Sequence, residues 1–416
     1  MKNVLQSICL FALLVACLVG CGKHEDVSKI LTRRTVIVYM SGENSLTRNS
    51  DYDLSELAEG SKSLNSDERL VVFVDNTSSK GPYIVELNNG IRDTVRTFES
   101  DFYASDPARF REIIEWIENR YPATDDNYGL VLWGHATGWV IANDTVAQSR
   151  QQRAYGQDNG NNSTEASRQT RWMNVTQMAR ALEGLPRFRY IFADCCLMMC
   201  AEVAYELRNT ADYLIGSPAE VPGDGAPYDL LTKTLFSEAD DFYRDIIDTY
   251  YDYYYSYYNT DINRNFSYLA GQSVPLSVVD LSKMDDLAQA TAAVLLEPQA
   301  YDVDMVPYYF HYDKPVMYDM KALFEHNLSE SDYLQWVNAL DKAMPYKRFS
   351  LYWMTIYSNL KFNMYYFRYN EQNYGGLSMF VERSIYDYGV DYNYNEGIAH
   401  TSWYRAVGWQ RFKTEK

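Results

Sequence analysis

Beyond position 21 the only cysteines are Cys195, Cys196 and Cys200, crowded into six residues. Thiols this close cannot staple distant parts of a fold, and an odd number leaves at least one without a partner in an oxidising compartment. A zinc site would want a second Cys or His pair at ligand spacing, and His24, His135, His311, His326 and His400 are scattered singly, so no metal ligation is expected. The chemistry open to this cluster is nucleophilic, and a thiol nucleophile needs a base. His135 qualifies by position. It stands in WGHATGW directly after an apolar run, flanked by Gly134 and Gly138, which let the backbone turn sharply. The thiols follow a second apolar run, where residues 190–193 lead into Asp194-Cys195-Cys196-Leu197 and a helical pattern with Glu202, Val203 and Leu207 begins at once. Cys196 is the expected nucleophile, at a helix N-terminus whose dipole, beside an imidazole, would favour the thiolate. Cys195 should point the other way, and Cys200, one helical turn further, should pack in the core.

Strand ends must hold both residues. Short apolar runs rich in β-branched side chains at 35–40 (TVIVYM), 70–75 (LVVFVD), 130–133, 190–193 and 213–216 read as buried parallel strands. Between them, Phe110, Ile113, Ile114 and Ile117 share one face of a helix over 109–121, and Met178, Ala179 and Leu182 one face of a helix over 175–185. A further strand at 276–280 and helix at 284–296 continue the alternation. The pattern predicts a doubly wound α/β sheet whose functional residues gather at the carboxyl ends of the strands. Residues 142–171, dense in Asn, Gln, Ser, Thr and Arg, are expected to form a long exposed loop. Residues 240–258 end in YYDYYYSYY and place Ile246, Ile247, Tyr250, Tyr251 and Tyr254 on one helical face.

Composition narrows the function further. The 416 residues, 47% hydrophobic and 23% charged, suit a globular protein, and 56 acidic against 38 basic side chains give a net charge of −18. That balance argues against a nucleic-acid partner, which needs clustered Lys and Arg, and favours cationic substrates. Tyrosine is in excess, at 38 residues. Most of these lie after residue 240, which points to packing of the C-terminal part rather than to catalysis.

The motifs together resemble the clostripain family of cysteine peptidases. The likeness runs from TVIVYM and SGENSL through WGHATGW and DCCLM to SPAEVPGDGAPY and GLSMF. It implies an α/β caspase-like, mostly parallel sheet flanked by helices over 34–300, with an additional, largely helical, Tyr-rich region over 301–416 packed on it. It implies His135 as base and Cys196 as nucleophile. In the family the residue after the histidine is usually Gly, and its N–H helps to form the oxyanion hole. Here it is Ala136, which keeps the N–H only if its backbone lies in an allowed region. Cleavage after Arg or Lys would need acidic groups, which the resemblance assigns to Asp194 and Asp224; alternatively these are a helix N-cap and a turn former. The resemblance also implies self-cleavage in the 142–171 loop, after Arg150, Arg153 or Arg168. It implies no organic cofactor. Calcium dependence occurs in the family, and the sequence has no EF-hand string.

The first residues read as an address. Lys2 and an apolar run over 8–19 have the form of a secretory leader, and Leu18-Val19-Gly20-Cys21 resembles a bacterial lipobox. The expected organisation is a leader over 1–20, a tether over 21–33 lipidated at Cys21, and a location at the cell envelope, on the periplasmic face or the outer surface. The expected function is a lipid-anchored cysteine endopeptidase acting on proteins or peptides with basic residues. The alternative is a weak or inactive peptide- or glycan-binding lipoprotein on the same fold.

Overall fold

The apolar runs assemble side by side. In a computed structural model, which describes residues 28–77, 81–140, 154–167, 169–258, 274–304, 306–311, 315–348, 352–358, 362–368, 374–386 and 393–412, the strands in chain order are β1 (Arg34–Gly42), β2 (Glu68–Asn76), β3 (Tyr83–Asn88), β4 (Ile91–Thr97), β5 (Tyr128–Gly134), β6 (Tyr155–Asp158), β7 (Arg171–Met173), β8 (Phe188–Asp194), β9 (Ala211–Gly216), β10 (Leu276–Asp280), β11 (Tyr308–His311), β12 (Pro315–Asp319), β13 (Tyr346–Arg348), β14 (Tyr352–Ser358), β15 (Phe362–Arg368) and β16 (Ser378–Met379). The central sheet has the order β13-β10-β9-β8-β5-β1-β2-β3-β4. Its middle five strands, β9 to β2, are parallel, and both edges are extended by antiparallel strands.

Side-chain alternation feeds two cores. Ile37 and Tyr39 of β1 face one layer, with Phe110, Ile113, Ile114 and Ile117; Val36, Val38 and Met40 face the other. Helices α1 (Thr47–Gly60), α2 (Pro107–Arg120), α3 (Val175–Leu182), α4 (Ala201–Leu207), α5 (Tyr228–Leu235), α6 (Phe242–Tyr258) and α7 (Met284–Val294) cover them. Local chemistry starts α2 where it does. Asp106 accepts from the N–H groups of Ala108 and Arg109, and Pro107 occupies the first turn. Its four buried apolar side chains are each worth about 2 kcal/mol. The region beyond residue 300 combines helices with strands, and β13 joins the central sheet.

The register sets the functional edge. Ser41 lies opposite both Gly134 and Asp75, and Trp133 opposite Asp194. The carboxyl ends of β1, β2, β5 and β8 therefore finish level, and the segments that leave them emerge together.

Candidate active site

His135 leaves β5 and Cys196 leaves β8, each two residues beyond the paired Trp133 and Asp194. Their loops touch at Gly138, where a Cβ would lie 2.6 Å from the Leu197 carbonyl oxygen and 3.3 Å from Cys200 Sγ. With φ at 67° as well, this position takes glycine. His135 Nε2 lies 2.9 Å from Ser45 Oγ, in the turn after β1. Burial pulls the imidazole down to about 4, so it is neutral and free to accept a proton.

A strand that sequence patterning had assigned to exposed loop fixes the backbone of this histidine. The Gly156 N–H donates to the His135 carbonyl, and the Thr137 N–H donates to Ala154. Tyr155 Oη reaches the carbonyls of Tyr39 and Trp133 at 2.9 and 3.2 Å. Ala154, Tyr155, Asp158 and Asn159 are all buried, so the expectation of one exposed loop over 142–171 is corrected for residues 154–160, whereas Asn161, Asn162 and most of the described residues after them are exposed. The ladder bonds flank Ala136, which does not join Gly134 and Gly138 in the positive-φ region. Replacement of Gly by Ala there is unstrained.

The setting of Cys196 also differs from expectation. No helix starts beside it: the chain turns through Leu197, at φ 65°, and α4 begins at Ala201 with Cys200 as N-cap. Backbone bonds from Leu197 to Ala219 and from Met199 to Ser217 pin this turn against the 217–228 segment. A helix dipole therefore does not ease ionisation. Burial, then the charge of Glu220, pushes the thiol up to about 12, against which the Val221 N–H at 3.5 Å from Sγ is a weak offset. The resting pair is thus neutral thiol and neutral imidazole, and the thiol must surrender its proton as it attacks. Cys195 and Cys200 are buried, whereas Cys196 is partly exposed.

The two acidic candidates occupy different depths. Asp194 is buried and is not an N-cap; its Oδ2 accepts from the Ala226 N–H at 3.0 Å and the Tyr228 hydroxyl at 2.7 Å, and its Oδ1 from the Tyr250 hydroxyl at 3.2 Å. Asp224 is exposed, accepts from Asn49 at 3.2 Å, and lines a cleft of about 630 Å³ with Arg48, Glu56, Gly225 and Tyr254. Tyr254 donates to the Gly225 carbonyl at 2.5 Å. Tyrosines of α6 thus brace the wall of this cleft, which corrects the reading of the tyrosine excess as remote from the site.

Sequence reasoning passed over three residues. Ser45 lies inside the quoted SGENSL. Glu220 lies inside SPAEVPGDGAPY; it is buried, its Oε2 has no hydrogen-bond partner, and burial raises its carboxyl to about 8. Asp53 sits on the buried face of α1 with Ser50, Leu54 and Leu57. Trp133 Nε1 donates to its Oδ2 at 2.6 Å, its Oδ1 has no partner, and it packs against Gly225. Burial and the charge of Asp194 raise its carboxyl to about 9. A charged residue on the apolar face of α1 was the available signal. Cys21, Arg150, Arg153 and Arg168 lie outside the described residues. His326 is exposed beside Asp302 at 3.2 Å, and His400 is exposed.

The model of the clostripain family matches residues 38–412. The chain belongs to the clostripain family. Among solved structures, a secreted C11 cysteine protease from Bacteroides thetaiotaomicron, in complex with an irreversible peptide inhibitor, is 28% identical with a TM-score of 0.75, over 91% of this chain and 99% of that one. An inactive zymogen C11 protease from Parabacteroides distasonis, at 24% identity and TM-score 0.71 over 92% and 99%, shares the fold. So does iotapain, a secreted C11 cysteine protease from B. thetaiotaomicron, at 22% and 0.70 over 91% and 99%. Among curated proteins, none matches. This clostripain-family chain is a cysteine-type endopeptidase with the mixed α/β fold of the C11 proteases. Among its described residues, no helix is long and apolar enough to cross a membrane.

Proposed function

We propose that the enzyme cleaves peptide bonds after Arg or Lys, with Cys196 as nucleophile and His135 as its base. The observation that carries the specificity is the predominantly acidic cleft: Asp51, Glu56 and Asp224 line it with Arg48, and the buried Asp53 and Asp194 lie against Gly225 and Ala226 in its wall. A long cationic side chain entering there meets carboxyl groups at two depths. Removing such a cation from water requires this pairing. Cys196 Sγ attacks the carbonyl carbon as its proton passes to His135, the imidazolium then protonates the leaving amine, and water hydrolyses the acyl-enzyme. The Ala136 N–H, in unstrained backbone beside His135, is proposed as a donor to the oxyanion. The irreversible peptide inhibitor on the similar secreted protease supports peptide substrates.

Maturation by a cut after Arg150, Arg153 or Arg168 and anchoring by a lipid on Cys21 belong to the same proposal and rest on the sequence. Labelling with an arginyl chloromethyl ketone tests it. We expect covalent modification at Cys196, lost in Cys196→Ala, and cleavage of Arg and Lys fluorogenic peptides at least tenfold faster than of norleucine analogues, a preference that Asp224→Asn reduces. Equal rates for basic and neutral peptides refute the specificity. N-terminal sequencing of wild type and Cys196→Ala reports self-cleavage.

A further inference from the structure

The reaction draws on one nitrogen of the His135 ring and leaves the other to be held. Nε2 lies 2.9 Å from Ser45 Oγ, so Nδ1 is the nitrogen open to the thiol. Ser45 is exposed, yet the turn that carries it is closed from both ends. The Asn44 N–H donates to the Gly42 carbonyl at 2.8 Å and the Thr47 N–H to the Asn44 carbonyl at 3.2 Å. Asn44 Oδ1 accepts from the Leu46 N–H at 2.8 Å, and the Thr47 hydroxyl donates to the Gly42 carbonyl at 2.7 Å. The turn also hangs on β6 and the residue after it. Asn44 is wholly buried and its Nδ2 donates to the Gln157 carbonyl at 2.7 Å, while the Asn159 N–H donates to the Glu43 carbonyl at 3.0 Å. The neighbour of Gln157 in the same strand is Gly156, whose N–H holds the His135 carbonyl at 2.9 Å. One strand thus carries hydroxyl and imidazole alike, and their spacing is set before substrate arrives.

We propose that Ser45 is the positioning residue of the base: its Oγ accepts from the Nε2–H of His135 and so holds the tautomer whose Nδ1 takes the Cys196 proton. This rests on His135 being the base. A neutral imidazole carries its proton on one nitrogen and a lone pair on the other, so a ring protonated at Nδ1 would turn an N–H toward the thiol and could not accept from it. With the proton on Nε2 the lone pair faces the thiol. The Ser45 hydroxyl proton then turns to solvent, which its exposure allows. During attack the proton of Sγ moves to Nδ1, and from Nδ1 it passes to the leaving amine. The Nε2 proton stays on the ring throughout.

The contact acts where the barrier is highest. Moving a proton from a thiol raised to about 12 to an imidazole lowered to about 4 is uphill in the resting site. As the imidazolium forms, the bond from Nε2–H to Oγ becomes charge-assisted and strengthens. An interaction stronger in the transition state than in the ground state raises kcat and leaves KM alone. A carboxylate in this place would favour the imidazolium at rest, whereas a hydroxyl leaves the resting ring neutral.

Nitrogen-15 NMR of the full chain, labelled at histidine and carrying Cys196→Ala, tests the tautomer without relying on peptidase activity. The His135 signals are those lost in His135→Gln. At about pH 7 the expected ring is protonated at Nε2 and bare at Nδ1, and in Ser45→Ala the two nitrogen shifts move toward each other as the tautomers mix. With the thiol intact, Ser45→Ala should lower kcat about tenfold while KM for an Arg peptide changes less than about twofold. Ser45→Thr, which keeps the hydroxyl, should restore most of the rate. A ring protonated at Nδ1 overturns the proposal. So does an unchanged kcat in Ser45→Ala, a loss confined to KM, or an equal loss in Ser45→Thr, which would mark a turn residue only. Full peptidase activity in His135→Gln would instead overturn the assignment of the base, and this proposal with it.

Discussion

Glu220→Gln isolates one charge held against the nucleophile. Glu220 is 8% exposed, its Oε2 is without a hydrogen-bond partner, and burial displaces its carboxyl from 4.5 to about 8. Between these values the folded chain keeps a proton that the unfolded chain has released. The folded state therefore loses stability as pH rises from 4.5 to about 8, by about 5 kcal/mol if nothing relaxes and roughly half that if water enters. Glutamine has no such proton. The stability of Glu220→Gln relative to the parent should rise across this window by about 2 to 5 kcal/mol and stay level above it. Urea midpoints at about pH 5 and about pH 9, both in a Cys196→Ala background, read the difference. A second readout uses the intact thiol. Glu220 is the largest charge raising Cys196, and of the described cysteines Cys195 and Cys200 are buried, so alkylation by iodoacetamide is followed by mass spectrometry on the peptide that carries Cys196. It should be faster in Glu220→Gln once Glu220 would be ionised and unchanged where it is protonated. A stability difference independent of pH, or slower alkylation in alkali, would refute the reasoning.

Gly138→Ala must place a methyl group 2.6 Å from the Leu197 carbonyl at φ 67°. The left-handed backbone and the overlap together should cost about 2 to 4 kcal/mol, read by denaturant unfolding, and slow labelling of Cys196 at least tenfold as the two loops separate. His135, lowered to about 4 by burial, remains an unprotonated base as pH falls below the usual 6.5. The acid limb of kcat/KM should therefore lie nearer 4 to 5 than 6.5, and a limb at 6.5 would show the imidazole to be solvated in the working enzyme.

Local signals were legible where a short stretch of chain decides its own structure. The runs TVIVYM and LVVFVD became β1 and β2, and the 3.6-residue pattern of α2 ended within a turn of its predicted limits. An equally local signal was passed over. Asn89-Gly90, with φ of 50° and 81°, is the turn that folds β3 back on β4, the pairing of positive φ that Asn-Gly favours. The polar stretch around β6 misled because Tyr155 and Asp158 are buried by partners more than fifty residues away, such as Tyr39 of β1 and Ala104. The helix after Cys196 started later than its pattern suggested because backbone bonds to Ser217 and Ala219 hold the intervening turn open.

Residue types and order alone place a thiol after one buried run and an imidazole after another, and a family of cysteine peptidases with them. That much is encoded locally, since strand patterning and the glycines around His135 are properties of adjacent residues. Which groups surround the pair is not. The proximity of Glu43 to Asp75 follows from the parallel register of β1 and β2, that of Glu220 to Cys196 from the backbone bonds that hold the segment after β9 against the Cys196 turn, and that of Asp53 to Gly225 from the packing of α1 on that segment. The protonation states follow as well. Spacing suggested an activated thiolate, whereas burial, a property only of the folded chain, leaves the thiol and the imidazole neutral until substrate is attacked.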